Sequence, residues 1–117
     1  MAAEAPRRAL GAAGERAAEE WYRARGYEVV ARNWRCRDGE IDIILRQGRQ
    51  LVFCEVKARS TTAFGTPAEA VTRAKQLRLR RLAARWMRET GSHRAGVIRF
   101  DVAAVLGGVV EIIEAAF

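Results

Sequence analysis

Apolar and polar residues alternate along this chain with two different periods, which predict helices in two places and strands in five. The first helical pattern spans residues 10–25 and stops at Gly26, a residue suited to closing a helix. Glu15 lies at the margin of the apolar face, whereas Glu19 and Glu20 are expected to point outward. That face comprises Gly11, Gly14, Ala18, Trp21 and Tyr22.

Short apolar runs with a period of two predict the strands, at residues 27–31, 40–46, 50–57, 97–106 and 109–113. The basic stretch of residues 32–37, which follows the first of them, is predicted as a loop. Two glycine-containing pairs, Gly48-Arg49 and Gly107-Gly108, are predicted turns.

The second helix is predicted from capping signals. Thr66 suits the N-cap, Pro67 the first helical position, and Glu69 completes a capping box; the helix should reach about Thr90 before Gly91. Its apolar stripe comprises Ala68, Val71, Leu79, Leu82, Ala83 and Trp86. The order α-β-β-β-α-β-β predicts an α/β fold in which helices flank a mixed sheet.

Acidic residues lie inside two neighbouring apolar strands. If Gly48-Arg49 forms a two-residue type II′ loop, Gln47 pairs with Gln50 and Leu45 with Val52. That register brings Asp42 opposite Glu55. It also brings Glu40 opposite Lys57.

Two opposed carboxylates with a nearby lysine suit metal-assisted hydrolysis of a phosphodiester. Asp42 and Glu55 would hold Mg²⁺ or Mn²⁺, with the main-chain carbonyl of Val56 as a further oxygen ligand. Lys57 would orient the nucleophile or stabilise the transition state. A solvent-facing strand edge carrying a Glu–Lys pair is the alternative that these residues leave open.

Composition narrows the class of protein. The 117 residues suit one domain, with residues 1–9 as a flexible tail. No segment is long and apolar enough to span a bilayer, so a membrane is not expected. The net charge of +7 favours a nucleic-acid partner, although the excess of arginine is also typical of a genome-wide bias. Cys36 and Cys54 match no zinc or redox spacing, which favours reduced thiols in a cytoplasmic protein.

At this point the chain resembles a known family. The pattern of an acid on a first helix, then Asp, then Glu-x-Lys, resembles the PD-(D/E)xK nuclease core. More closely, the chain resembles the YraN-type family of small bacterial predicted endonucleases. The resemblance spans about residues 11–100 and is carried by Gly11–Glu15, Asn33-Trp34-Arg35, Gly39–Asp42, Phe53–Arg59, Phe64-Gly65 and Lys75.

The resemblance implies a restriction-endonuclease-like fold, similar to archaeal Holliday-junction resolvases. It implies that Asp42, Glu55 and Lys57 form the core motif, that Glu15 is the helix-borne catalytic acid, and that the protein forms a homodimer. Two departures remove no ligand: Ile41 stands where a proline is usual, and Cys54 where an aliphatic residue is commoner.

Basic residues near this core are the predicted nucleic-acid contacts, namely Arg32, Arg35, Arg37, Arg59 and Lys75. Trp34 is either a stacking surface for a base or a core anchor, and the arginines of the second helix either follow a duplex or form a solvated face. The predicted function is metal-dependent cleavage of DNA, rather than RNA, with branched DNA as a candidate substrate. The alternative is a non-enzymatic nucleic-acid-binding module.

Overall fold

In the part of the chain that the structure describes, two helices and five strands follow one another in the order that the sequence predicts. The structure is a computed structural model that describes residues 5–59, 71–92 and 96–117, with side chains from Leu10 onward. The elements are α1 (Ala5–Ala24), β1 (Glu28–Cys36), β2 (Gly39–Gln47), β3 (Gln50–Arg59), α2 (Arg73–Thr90), β4 (Val97–Leu106) and β5 (Val109–Ile113).

The strands form one sheet in the spatial order β1-β2-β3-β4-β5. Only β3 and β4 are parallel, because α2 connects them; the other neighbours are antiparallel. Each face carries its own apolar cluster. On one face α1 contributes Ala18 and Tyr22, and on the other α2 contributes Leu79, Leu82, Ala83 and Trp86. The predicted mixed sheet flanked by helices is confirmed.

Both final strands and the closing Gly91, in a left-handed conformation with φ 71°, lie where the sequence predicts. The first helix instead begins at Ala5, in the predicted tail, since Pro6 is tolerated in a first turn. In the described part of the chain α2 begins only at Arg73, after Thr72, whose hydroxyl accepts the Lys75 N–H at 3.3 Å. The predicted cap at residues 66–69 lies outside the described residues.

The basic stretch predicted as a loop is instead the second half of β1, which pairs with β2 up to Cys36 and Gly39. A β-bulge between Val29 and Ala31 shifts the register early in the strand. Pairing with β2 keeps this stretch in the sheet as its edge strand, apart from Asn33, whose backbone has a positive φ. Trp34 packs against the α2-side cluster, which favours its role as a core anchor.

The hairpin between β2 and β3 has the predicted register. Gly48 has a φ of 60°, Arg49 has no positive φ, and Gln47 pairs with Gln50 as a type II′ loop requires. The pairing ends at Ile43 and Cys54. Beyond that point β2 pairs only with β1, and β3 only with β4. We call the gap between residues 39–42 and 55–59 the fork.

The regular alternation of side chains breaks where the fork opens. Ile41 packs against the α2-side cluster, yet Ile43, two residues on, packs on the α1 side. On β1, Trp34 likewise packs on the α2 side, whereas Arg32 bonds to Glu19 of α1. Both strands therefore rotate locally, β2 at Asp42 and β1 at the residue between Arg32 and Trp34.

A buried carboxylate on β4 ties the α1 side together. Asp101 is fully buried and accepts hydrogen bonds from the Tyr22 hydroxyl at 2.6 Å and from the Ala115 N–H at 3.0 Å. The Arg99 guanidinium donates to both carboxylate oxygens at 2.8 Å. Because every oxygen of this buried charge is satisfied, the network joins α1, β4 and the segment after β5.

A close contact sets the height of α1 above the sheet. A Cβ at Gly14 would lie 2.7 Å from the Ala58 Cβ and 3.6 Å from the Val56 side chain, so only glycine lets the helix approach β3 this closely. A Cβ at Gly11, one turn earlier, would meet nothing within 4 Å. Glu15, the predicted helix-borne acid, is the next residue after this contact.

The two glycines provide a matched test of that contact. We expect Gly14→Ala to destabilise the protein by about 1–3 kcal/mol through overpacking. Gly11→Ala should stabilise it by about 0.5–1 kcal/mol, because alanine is the better helix former. Urea unfolding of both variants measures the difference. Equal effects at the two positions, or no recovery of stability when Ala58→Gly is added to Gly14→Ala, would contradict the contact.

Candidate active site

Asp42 lies at the point where the fork opens. Its Oδ2 accepts the Val56 main-chain N–H at 2.8 Å, so the carboxylate takes the place that a β2 carbonyl would occupy in a continued ladder. Burial, and then the neighbouring Glu55 carboxylate, raise the pKa of Asp42 to about 7, although the Val56 N–H acts in the opposite direction. The site therefore concentrates negative charge that its own hydrogen bonds do not offset.

Glu55 and Lys57 alternate with Cys54 and Val56, which pack on the α1 side, so they project towards α2. Lys57 Nζ lies 3.3 Å from Glu55 Oε1, and both side chains are largely buried. Lys75, in the first turn of α2, reaches the same place. The pKa of Lys75 is lowered by the neighbouring Lys57 and by burial. The structure thus brings Lys75 into the group, where the sequence predicted only a contact with nucleic acid.

Glu15 and Glu40 lie on the α1 side of the fork with Asn33 between them. With its amide nitrogen turned towards both carboxylates, Asn33 donates to Glu40 Oε1 at 2.9 Å and to Glu15 Oε1 at 3.2 Å. Asn33 has a φ of 47°, a conformation that asparagine tolerates better than most residues. Burial raises the pKa of Glu15, and the Asn33 hydrogen bond lowers it in part.

Asp42 interacts electrostatically with carboxylates on both sides of the sheet. The carboxylates of Glu55, Glu15 and Glu40 all raise the pKa of Asp42, which places Asp42 between the two groups. Of the two partners that the sequence leaves open for Glu40, Lys57 or an arginine, the structure has the arginine, since Glu40 pairs with Arg35 at 3.0 Å. The ladder ends before either residue, so each takes a partner from its own half of the sheet.

The atoms that this site offers as ligands for a cation are oxygens. Within the described residues, no group of three or more histidine, cysteine, aspartate or glutamate side chains is arranged to hold a metal ion. Asp42 and Glu55 supply two carboxylates. In a strand, N–H and C=O of one residue point to the same neighbour, so the Val56 carbonyl faces the fork beside Asp42. Two carboxylates and a carbonyl suit Mg²⁺, which keeps several water ligands.

Two of the predicted nucleic-acid contacts are engaged within the protein. Arg32 Nε donates to Glu19 at 3.0 and 2.8 Å, and Arg35 pairs with Glu40. Arg37 is exposed at the turn after β1, and Arg59 is half-buried at the end of β3. Arg32 and Arg35, the two cationic side chains near Asn33, therefore form ion pairs with carboxylates of the protein itself.

The sequence predicts no role in the site for two residues, Glu19 and Asn33. Glu19 was expected to point outward but is 8 % exposed, because α1 turns it towards Arg32. Its position one turn after Glu15 was the available signal. Asn33 carries no signal in the hydrophobic pattern, since its role depends on a left-handed backbone that appears only in three dimensions. Both thiols are free as predicted; Cys54 is buried, which raises its pKa.

The same residues lie inside a stretch that defines a protein family. The model of the Uncharacterised protein family UPF0102 matches residues 14–105. The chain belongs to the UPF0102 family. A UPF0102 protein of Beutenbergia cavernae is 61% identical over 98 residues, which are 84% of this chain and 82% of that protein. One from Frankia alni is 54% identical over 97 residues, covering 83% and 80%, and one from Acidothermus cellulolyticus is 43% identical over 125, covering 95% of each.

The stretch that matches the UPF0102 model includes the fork and both of its sides, with Glu15, Asn33, Asp42, Glu55 and Lys75. The family resemblance that the sequence carries is confirmed at this level. Among the described residues, neither helix combines the length and the apolar character that crossing a membrane requires.

The pKa of Asp42 predicts a pH dependence of stability. Folding raises the pKa of this carboxyl from 3.8 to about 7, so between these values the folded state binds a proton that the unfolded state lacks. We expect the free energy of unfolding to fall as pH rises from about 4 to 7 and to level off above. Asp42→Asn should flatten this slope and stabilise the protein at pH 8, as urea unfolding at several pH values would measure. Glu111→Gln, an exposed control, should keep the slope; equal slopes in wild type and Asp42→Asn would refute the assignment.

The role of Asn33 can be separated from its backbone strain. Asn33→Gly removes the amide and accepts a φ of 47°, so we expect the pKa of Glu15 to rise further because a hydrogen-bond donor is lost. Asn33→Ala should produce the same shift with an additional loss of about 1 kcal/mol in stability. Carbon-detected NMR titration of the Glu15 carboxyl measures the shift. An unchanged Glu15 in Asn33→Gly would show that the amide does not influence it.

Proposed function

We propose that this protein is a metal-dependent phosphodiester hydrolase that acts on DNA, with its active site at the fork. The observation that carries the proposal is the pair of carboxylates, Asp42 and Glu55, where β2 and β3 part, with Lys57 at 3.3 Å from Glu55. The resemblance of the sequence to a family of predicted nucleases, which implies a core role for these three residues, also supports the proposal.

Each residue of the fork has a separate task in this proposal. Asp42 and Glu55, with the Val56 carbonyl, would hold Mg²⁺ or Mn²⁺; the bound ion would lower the pKa of a water ligand and offset charge on the phosphate. Lys57 stabilises charge on the phosphate oxygens or orients the attacking water. Glu15, on the other side of the fork, accepts a hydrogen bond from a water molecule and orients it. Val56 N–H fixes the Asp42 carboxylate by holding Oδ2.

The charge distribution supports nucleic acid as the substrate. The net charge of +7 opposes the local negative charge of four carboxylates at the fork, so the surface attracts a polyanion while the fork attracts a cation. A phosphodiester with its metal ion provides both the negative charge that the surface attracts and the cation that the fork attracts. The substrate we propose is DNA, including branched or flapped forms; the homodimer that the resemblance implies stays a prediction.

Substitution of the carboxylates tests the proposal. We expect Asp42→Asn and Glu55→Gln to lower the rate of cleavage of flapped and branched DNA in Mg²⁺ or Mn²⁺ by about 100-fold or more, the scale of losing one electrostatic stabiliser. Lys57→Met should lower the rate without abolishing metal binding. Glu111→Gln, an exposed acid on β5, provides the control with the same loss of charge.

Calorimetry with Mn²⁺ gives a readout that does not depend on cleavage. Binding of Mn²⁺ to wild type but not to Asp42→Asn supports the site. Cleavage that persists unchanged in Asp42→Asn refutes it. If DNA binds, but Mn²⁺ does not bind through the carboxylates and no DNA is cut, the protein is a nucleic-acid-binding module that keeps the fold.

A further inference from the structure

A groove lined by arginines runs along α2, on the side of the helix that faces the turn between β1 and β2. Its volume is about 390 Å³, and its lining contains four guanidinium groups and one carboxylate: Arg78, Arg81, Arg85, Arg88 and Asp38. These arginines are three, four or seven positions apart, so they project from one side of the helix. We call this surface the arginine groove.

The arginine groove begins one helical turn beyond Lys75, which is a neighbour of Lys57. Lys75 lies beside Lys57 and within the influence of Glu55, and Arg78 follows it one turn later. From Lys75 to Arg88 the helix rises about 20 Å, which is long enough to follow several phosphates of one strand. The cations therefore form a path that leads away from the fork.

The groove is built by specific contacts. A Cβ at Gly39 would lie 3.2 Å from the Leu82 side chain and 3.4 Å from that of Arg78, so α2 rests directly on the turn. Arg85 is held by Asp38 at 3.4 Å and by Glu89 at 3.1 Å. The positive charge of Arg85 is thus balanced by two carboxylates, which hold its side chain in position at the groove.

The other arginines remain available for a ligand. Within the described residues, Arg78, Arg81 and Arg88 form no ion pair. The helix holds seven basic residues and one acidic residue, Glu89, whereas a helix that only solubilises a protein mixes both signs. Guanidinium groups match phosphate oxygens through paired hydrogen bonds and stay charged at any physiological pH.

We propose that the arginine groove binds the phosphodiester backbone of one DNA strand and directs that strand to the fork. This inference rests on the proposed function for its choice of ligand, but it concerns a separate surface. Arg81 and Arg88 make the direct phosphate contacts, Arg78 joins the groove to the site, and Arg85 holds its shape. Because these side chains contact phosphates, the groove binds independently of base sequence.

A matched pair of double variants tests the groove. Arg81→Gln/Arg88→Gln removes two charges from the groove, and Arg46→Gln/Arg49→Gln removes two from exposed positions at the far end of the β2–β3 hairpin. Binding is measured by the fluorescence anisotropy of a labelled, flapped DNA duplex between 50 and 200 mM salt. Divalent ions are left out, so cleavage does not contribute.

We expect the groove variant to bind about 10- to 60-fold more weakly at 0.1 M salt and to reduce the slope of log affinity against log salt by about 1.8, which corresponds to two phosphate contacts. The hairpin variant should change both far less. Equal losses in the two variants would show a general effect of net charge and overturn the proposal, as would wild-type affinity in the groove variant or no salt-dependent binding by wild type.

Cleavage assays with Mg²⁺ separate this inference from the proposed function. If wild type cuts DNA and the groove variant binds like wild type, the groove proposal fails and the hydrolase remains. If binding depends on the groove but wild type does not cut, the hydrolase fails and the groove remains. In a cleaving protein, the groove variant should recover its rate at saturating concentration, because the groove holds the strand and does not touch the reacting phosphate.

Discussion

The hydrogen bond from Val56 N–H to Asp42 Oδ2 is the contact on which the site depends. It substitutes a side chain for a main-chain acceptor at the position where the β2–β3 ladder ends, so the sheet can divide without leaving a buried donor unsatisfied. Division of the sheet is what lets groups from both faces meet. Without it, a continuous layer of backbone would separate Glu15 on the α1 side from Glu55 and Lys57 on the α2 side.

At the fork, the burial that comes with packing is unfavourable for the charged carboxylates. Burial, and then the neighbouring carboxylates, raise the pKa of Asp42 to about 7, which is a cost to the folded state at neutral pH. At Asp101 a buried charge is fully satisfied, because Arg99, Tyr22 and Ala115 donate hydrogen bonds to both carboxylate oxygens. The contrast between the two carboxylates distinguishes a fully paired structural network from the candidate site, where the pKa of a buried carboxyl stays raised.

Local signals predicted much of this structure. The turn at Gly48 determined the hairpin register, and the two-residue glycine turn determined both strands that follow α2. Within the described residues α2 begins at Arg73 with Thr72 as its cap, whereas the predicted cap at Thr66 lies outside them; the two threonines offer similar capping signals in the sequence, and the packing of Val71 is not visible in a pattern of residues. The roles of Asn33 and Glu19 are not predictable from the sequence for a related reason. Their hydrogen-bond partners depend on the local rotation of two paired strands, which no periodicity of residues indicates.

The parallel pairing of β3 with β4 has a consequence for how the molecule acquires its structure. Among the described residues, no strand pairs with residues 55–59 on the β2 side, and their ladder runs to Val102–Leu106, more than 40 positions away. The hairpin can form early from local contacts, but this outer half of β3 must wait until α2 has crossed the sheet and β4 has docked. We therefore expect Glu55 and Lys57 to reach their final positions after Asp42 as the chain folds.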